Sequence, residues 1–288
     1  MSLPDATLHE RIAKDPWTAY NIRLSDAVTT MPGKPDFLSG DFRLYAVLRT
    51  LSLLYHGDLT GLRVADLACL EGGFSLALAQ RGANVLGIEA RKRNLEKAQL
   101  LREHFELPNL EFSRGDVKEF SRDAFGTFDV VLALGILYHL DEPVSWLRQI
   151  AEATRGVLIV DTHFAPLRDT DLAQLDPTVG RLGGLERKEL AGWTYEGRWF
   201  REVPRRGHVD PETDLWAAYS NDRSFWLTKG ALQLALRGAG FESVFEQHDW
   251  IADHYDGYTA KLVRTMFVGA KPAAFTGGSR SGRPPGDR

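Results

Sequence analysis

Cysteine is all but missing from this chain. Cys69 is the single one in 288 residues, so no intramolecular disulfide can form and nothing points to an oxidising compartment. A lone thiol in a turn, with neither a histidine nor a second cysteine beside it, reads as a buried packing group rather than a nucleophile. Excess positive charge is missing as well. Thirty-five Lys and Arg stand against 39 Asp and Glu, for a formal net charge of −4; a nucleic-acid partner would therefore need a local basic patch. No apolar run is long enough to span a bilayer, and the opening stretch MSLPDATLHERIAKDPW has neither the charged start nor the continuous apolar segment of a signal peptide. A soluble cytoplasmic protein without a membrane partner is expected. The eight histidines show no HExxH or comparable spacing, so no metal is expected.

What is present is a chain 43% hydrophobic and 10% aromatic, enough to bury the core of one large domain or of one domain with a sizeable insertion. From Arg63 onward short apolar strands alternate with amphipathic helices. RVADLAC, NVLGIEA, NLEFS, FDVVLAL and GVLIVD read as strands; GGFSLALAQRG, RKRNLEKAQLLREHFEL and PVSWLRQIAEAT read as helices between them. That alternation predicts an α/β, Rossmann-like doubly wound sheet built from parallel βαβ units. Residues 61–161 and 228–271 make up this domain, preceded by a helical cap over 1–60. Residues 162–227, crowded with Gly, Pro, Arg and aromatics, form an insertion after the fifth strand that suits a lid. The stretch 272–288 contains TGGSRSGRPPGDR and reads as a disordered tail.

In an open parallel sheet, ligands bind beyond the carboxyl ends of the strands, and the polar oddities of this sequence fall there. Asp66 lies near the end of the first strand, Glu89 ends the second, Asp116 follows the third, and LGILYHL follows the fourth. Glu89 comes 23 positions after Asp66, close to the spacing at which an acid receives the two hydroxyls of a ribose. Asp116 is placed to accept from an adenine amino group. The phosphate-binding G-x-G-x-x-G is absent: Ala68, Leu70, Gly72 and Gly73 do not fit it, and Leu70 would crowd a diphosphate. A hydride-transfer enzyme is therefore disfavoured. A cofactor with one ribose, no phosphate and a short amino-acid arm tolerates this turn, provided Gly72 and Gly73 let it come close.

Residues 63–161 resemble the core of the class I S-adenosylmethionine-dependent methyltransferases. VADLACLEGGFS is similar to that family's first motif, D-L-G-C-G-x-G, with Ala68 and Leu70 in place of two glycines, and FDVVLALGILYHLDEP is similar to its fourth-strand motif. WTAYNIRLSDAVTTMPG is more loosely similar to the segment that precedes the core in tRNA wobble-uridine carboxymethyltransferases. The resemblance implies a seven-stranded sheet whose last strand, KLVRTMFVGA, inserts antiparallel. It also implies S-adenosylmethionine as cofactor and S-adenosylhomocysteine as product. By motif, Asp66, Ala68, Leu70, Gly72 and Gly73 would form the first turn of the site. Glu89 and Ala90 would hold the ribose, Asp116 and Val117 the adenine, and Leu134, Gly135 and Tyr138 the methionine arm.

Methyl transfer from a sulfonium is an in-line displacement, so the protein must hold a nucleophile and, where it carries a proton, remove it. His139 is the leading base candidate and His163 the second. Arg43 is a candidate partner for the cofactor carboxylate, with a surface ion pair as the alternative. In the insertion, Trp193, Tyr195, Trp199, Trp216, Tyr219 and Trp226 either wall an acceptor or form the insertion's own core. Arg198, Arg201, Arg205 and Arg206 either grip an anion or make a solvated face. The reading is a methyltransferase acting on O or N of a small-molecule acceptor. One rival is a tRNA-modifying methyl or carboxymethyl transferase, opposed by the overall acidity; the other is a catalytically inactive S-adenosylmethionine-binding or scaffold protein.

Overall fold

A computed structural model describes residues 2–172, 181–203, 210–248 and 263–274. Arg205, Arg206 and positions 275–288 of the expected tail lie outside them. The first two helices are α1 (Asp5–Lys14) and α2 (Phe42–Leu54). The repeating unit follows as β1 (Arg63–Leu67), α3 (Gly73–Ala79), β2 (Asn84–Glu89), α4 (Lys92–Phe105), β3 (Leu110–Arg114), α5 (Arg122–Phe125), β4 (Phe128–Leu134), α6 (Pro143–Ala153) and β5 (Thr154–His163). After it come α7 (Asp169–Leu172), β6 (Leu182–Leu190), β7 (Trp193–Arg201), β8 (Arg223–Leu227), α8 (Lys229–Gly238), β9 (Ser243–Gln247) and β10 (Arg264–Ala270).

Seven strands form one sheet in the order β3-β2-β1-β4-β5-β10-β9. β1 to β5 are mutually parallel, and β10 runs antiparallel to both β5 and β9. Strand order reverses between β1 and β4, so the crevice opens beyond their carboxyl ends. Side chains alternate between two cores, as the two-residue period of a strand requires. On β4, Val130 and Leu132 face the cluster built by α1, α2 and α3, whereas Val131 and Ala133 face α6 and α8. The amino-terminal helices are thus one of the two layers over the sheet: Leu8, Val47 and Leu51 are fully buried in it.

Local signals account for the helix ends. Asp41 caps α2 by accepting from the Arg43 and Leu44 N–H groups, and Thr228 caps α8 by accepting from Ala231 N–H. Pro143 opens α6, where a missing N–H costs nothing. The expectation of a mainly helical start is corrected between Lys14 and Phe42. There Pro16, Pro32 and Pro35 break helical hydrogen bonding, and the chain runs irregularly, pinned by isolated bridges Asn21–Phe37 and Arg23–Thr29.

The insertion is more regular than expected. β6, β7 and β8 form an antiparallel sheet, and the β6–β7 hairpin closes on Leu190 and Trp193 through Ala191 and Gly192, both left-handed, at φ 52° and 77°. Two positive φ values in a two-residue loop match the right-handed twist of the strands it joins. Phe225 N–H donates to Leu140 O at 2.8 Å, anchoring β8 beside the carboxyl end of β4, and Tyr195 and Phe225 join the α6–α8 core. Arg198, read above as an anion grip or a solvated face, is fully buried on β7 and donates to the carbonyls of Pro166, Leu167 and Gly183 and to Asp169.

A Cβ on Gly197 of β7 would collide with the Phe225 ring and with the Trp226 carbonyl oxygen across the strand pair. Because the carbonyl cannot swing aside, Gly197→Ala is expected to lower stability by about 1–3 kcal/mol, read as a drop in thermal midpoint with the far-ultraviolet spectrum of the remaining fold retained.

Candidate active site

The turn leaving β1 keeps a glycine-like backbone without the glycines. Ala68 and Leu70 sit at φ 56° and 52°, and Gly72 at 79°; for Ala and Leu this conformation costs on the order of 1–2 kcal/mol each. One interaction that holds it is with Glu89, at the end of β2. Leu70 N–H donates to Glu89 Oε2 at 3.0 Å and Arg91 N–H to Oε1 at 2.9 Å. Glu89 is 1% exposed, and each carboxylate oxygen retains a lone pair beyond the one these bonds use. Burial raises its pKa against the pull of the Arg91 N–H and guanidinium.

Three of the expected cofactor residues lie behind this surface rather than on it. Asp66 is buried beneath the turn and accepts from Ser75 Oγ at 2.6 Å; desolvation lifts its pKa to about 6. Gly72 and Gly73 do not line the cavity and are closely packed: a Cβ on Gly72 would stand 2.7 Å from Phe112, and one on Gly73 2.8 Å from the Tyr20 ring. Their small size seats the start of α3 under the amino-terminal segment.

That segment forms the roof, and Glu71, which was not singled out from the sequence, holds it down. Glu71 is fully buried and accepts from Thr18 N–H (2.8 Å), Ala19 N–H (2.9 Å), Tyr20 N–H (3.2 Å) and Lys97 Nζ (3.0 Å). Lys97 Nζ also donates to Pro16 O at 2.7 Å. Ala19 and Tyr20 consequently line the cavity below.

The cavity measures about 230 Å³. Ala68, Leu70, Glu89, Ala90, Asp116, Val117, Leu134, Gly135, Tyr138 and Arg43, all predicted from sequence, line it together with His139. At one end Asp116 caps a short turn by accepting from Lys118 N–H at 3.0 Å. At the other, Arg264 of β10 grips the buried Asp161 with two bonds of 2.8 and 2.6 Å, and Arg43 Nη1 stands 3.9 Å from the same carboxylate while pairing with Asp41 at 3.0 Å. Burial alone would raise the Asp161 pKa, but Arg264 and then Arg43 hold it below the ordinary carboxylate range. Arg264 was missed; its signal was a lone guanidinium opening an otherwise apolar strand, TMFVGA.

His139 projects from the turn after β4, and its Nδ1 lies 3.0 Å from Glu202 Oε1. Glu202 follows β7, is buried, and also accepts from Ser224 Oγ at 2.7 Å and Ala218 N–H at 3.1 Å. A carboxylate so fixed sets the tautomer of its histidine and steadies a positive ring. His163 is elsewhere. It is the last residue of β5 rather than a loop position, stacks on Trp226 with centroids 4.9 Å apart, and borders a separate small pocket instead of the main cavity.

Residues 215–221 close the remaining side. Arg91 Nη2 donates to the carbonyls of Asp214 (3.0 Å) and Ala217 (2.7 Å), Glu212 bridges Lys92 N–H and Arg114, and Asn221 Nδ2 donates to His139 O at 2.9 Å. This strap thus reaches from Glu89's neighbour to the histidine. Of the insertion aromatics, Trp216 and Tyr219 line the cavity; Trp193, Tyr195 and Trp199 pack against Phe225 or one another.

Among the described residues no helix is long and apolar enough to cross a membrane. Residues 58–189 match the family model described as a methyltransferase domain. The chain is 25% identical to the amino-terminal domain of EvdMO1, crystallised in the presence of SAH and D-fucose, with a TM-score of 0.67 over 94% of this chain and 98% of that one. Its core is 32% identical over 92 residues to a ubiquinone biosynthesis O-methyltransferase of Acinetobacter baylyi, covering 32% of this chain and 39% of that protein. It is 31% identical over 105 residues to the O-antigen chain terminator bifunctional methyltransferase/kinase WbdD of Escherichia coli, covering 34% of this chain and 15% of that one. The matched core spans about two fifths or less of these curated relatives.

Two outcomes follow from the buried acids. The raised Asp66 pKa means the folded state holds a proton that the unfolded chain gives up, so this group's contribution is complete below about pH 4 and is lost as pH rises through about 6. Asp66→Asn, which can still accept from Ser75, is expected to flatten that decline, gaining on the order of 2 kcal/mol over wild type between pH 5 and pH 8, measured by urea unfolding at each pH. Glu71→Ala leaves three roof N–H groups without an acceptor and takes from Lys97 the nearer of its two carboxylates, Asp15 remaining at 3.6 Å, and should cost about 2–4 kcal/mol; Glu71→Gln should cost less, and equal losses for both would count against the roof being held by charge.

Proposed function

We propose that this chain, whose core is that of the class I S-adenosylmethionine-dependent methyltransferases, transfers a methyl group to a hydroxyl oxygen of a small-molecule acceptor. The observation that carries this is the convergence on one cavity of a buried carboxylate at the end of β2 and a histidine backed by a buried glutamate. Glu89 would accept from both ribose hydroxyls through the lone pairs that Leu70 and Arg91 leave open, with Ala90, Asp116 and Val117 around the base. Arg43 would face the carboxylate of the amino-acid arm, near Leu134 and Gly135. When bound, S-adenosylmethionine supplies an electrophilic methyl group on a sulfonium and leaves as the neutral thioether S-adenosylhomocysteine.

His139 then has one task. Its Nδ1–H is directed to Glu202, which leaves Nε2 to take the acceptor's proton as the oxygen–methyl bond forms. The imidazolium produced lies against the Glu202 carboxylate. A base so buttressed is matched to a hydroxyl, which must lose a proton to become a good nucleophile, and this favours oxygen over a neutral amine that attacks unaided. The named O-methyltransferase among the relatives supports the same choice.

The rivals lose their footing. The tRNA reading rests on the likeness of WTAYNIRLSDAVTTMPG and on four insertion arginines; of these Arg198 is buried among carbonyls and so is not offered to a nucleic acid. An inactive reading would draw on Ala68 and Leu70 standing where the family has glycines, yet both keep the left-handed turn and Leu70 N–H still orients Glu89. A cytoplasmic setting accords with the single buried thiol.

Titration calorimetry should register S-adenosylmethionine binding to the wild type and a loss of roughly 10²–10⁴ in affinity for Glu89→Ala, the worth of two bonds to a charged acceptor. His139→Ala should bind the cofactor as wild type does while turnover falls by about 10²–10⁴. Unchanged turnover in that variant would remove the base.

A further inference from the structure

The cavity's acceptor half, bounded by His139, Tyr138 and the strap, has a chemistry of its own. Of the cations that line the cavity, Arg264 and Arg43 meet Asp161, Lys118 meets Asp141 at 2.8 Å, and Arg91, whose Nη2 donates to two strap carbonyls while its buried Nε has no partner, lies beside Glu89 at the other end from His139. Behind His139 stands the buried Glu202 carboxylate. With Arg43 given to the cofactor's carboxylate, Arg264 bonded twice to Asp161 and Arg91 held beside Glu89, the half of the cavity around His139 has the Glu202 carboxylate behind it and no cation of its own among these groups, which favours a neutral acceptor.

Two further features narrow it. Trp216 lines the cavity yet is 67% exposed, an indole face on the strap with little protein over it. Asn221 spends both amide protons on the His139 and Arg223 carbonyls, at 2.9 and 2.8 Å, which leaves its Oδ1 an acceptor beside the histidine; Ser220 adds a hydroxyl to the same wall. A phenol carries one hydroxyl and needs only the base. A ring with one apolar face and several hydroxyls uses the indole, the amide oxygen and the base together.

We infer that the acceptor is a neutral sugar, bound with a C–H face of its ring on Trp216, one hydroxyl on Asn221 Oδ1 and the hydroxyl to be methylated at His139. This rests on the methyltransferase reading above. In the transfer the sugar O–H bond breaks, its proton passes to His139 Nε2, the oxygen–methyl bond forms and the donor's sulfur–methyl bond breaks. The structural relative crystallised with SAH and D-fucose points to the same acceptor class.

The test uses the whole chain saturated with S-adenosylhomocysteine, with D-fucose, methyl glucoside and catechol as probes in saturation-transfer NMR, and S-adenosylmethionine turnover as a second readout. At least one sugar is expected to bind saturably and be methylated, with catechol weaker. Trp216→Ala should raise the sugar KM about five- to tenfold, the worth of one aromatic contact, with kcat within about twofold, and Trp216→Phe should restore most of it. Since Trp216 is exposed, the alanine variant should fold as wild type. Catechol bound and methylated in preference to every sugar, no sugar response while S-adenosylhomocysteine binds, or an unchanged sugar KM in Trp216→Ala each overturns the sugar and leaves the methyltransferase reading standing. Failure of S-adenosylhomocysteine to bind overturns both.

Discussion

Two backbone N–H groups, from the turns after β1 and β2, converge on the Glu89 carboxylate, and most of the cavity is arranged around that meeting. The bond from Leu70 holds the first turn in a left-handed course that neither Ala68 nor Leu70 adopts cheaply. The bond from Arg91 fixes the start of α4, from which the Arg91 side chain reaches the strap. A buried carboxylate without such donors would take up a proton or turn toward solvent. With them it stays oriented, and its remaining lone pairs can be offered to a ligand.

The roof and the strap are tied to this centre from opposite sides. Glu71 lies one residue beyond Leu70 and draws residues 18–20 down over the turn. The strap is gripped at one end by Arg91 and at the other by the His139 loop and Glu202. Binding and base-assisted chemistry therefore share structural supports: a shift of residues 214–218 would disturb both the Arg91 contacts and the N–H that helps fix Glu202.

How much of this could be read in the sequence depended on whether the signal was local. The parallel strands of the main sheet were legible because each is a short apolar run bounded by turns, and α6 because Pro143 stands at its own first turn. Glu89, Asp116 and the LYH turn were legible because strand ends are where such a sheet binds ligands. Glu202 and Arg264 were not: each acts on a residue more than sixty positions away, and neither spacing nor periodicity encodes such a partnership. The insertion hairpin was hidden for another reason. Charged residues on both of its strands mask the alternation, and its turn is Ala-Gly rather than the Asn-Gly or Asp-Gly that announces a tight hairpin.

The two glycines of the first turn have a packing role that the sequence did not announce. Gly72 and Gly73 were expected to let a ligand approach, as glycines do where a diphosphate meets a helix start. Instead the space they leave is filled from within, by Phe112 and Ala98 on one side and Tyr20 and Leu38 on the other. A helix terminus covered by side chains has no room for an anion between it and solvent. The cavity opens on the Leu70 and Glu89 side of the turn, where the proposed recognition is a carboxylate accepting hydroxyl protons. Packing of this kind suits a nucleoside that carries no phosphate.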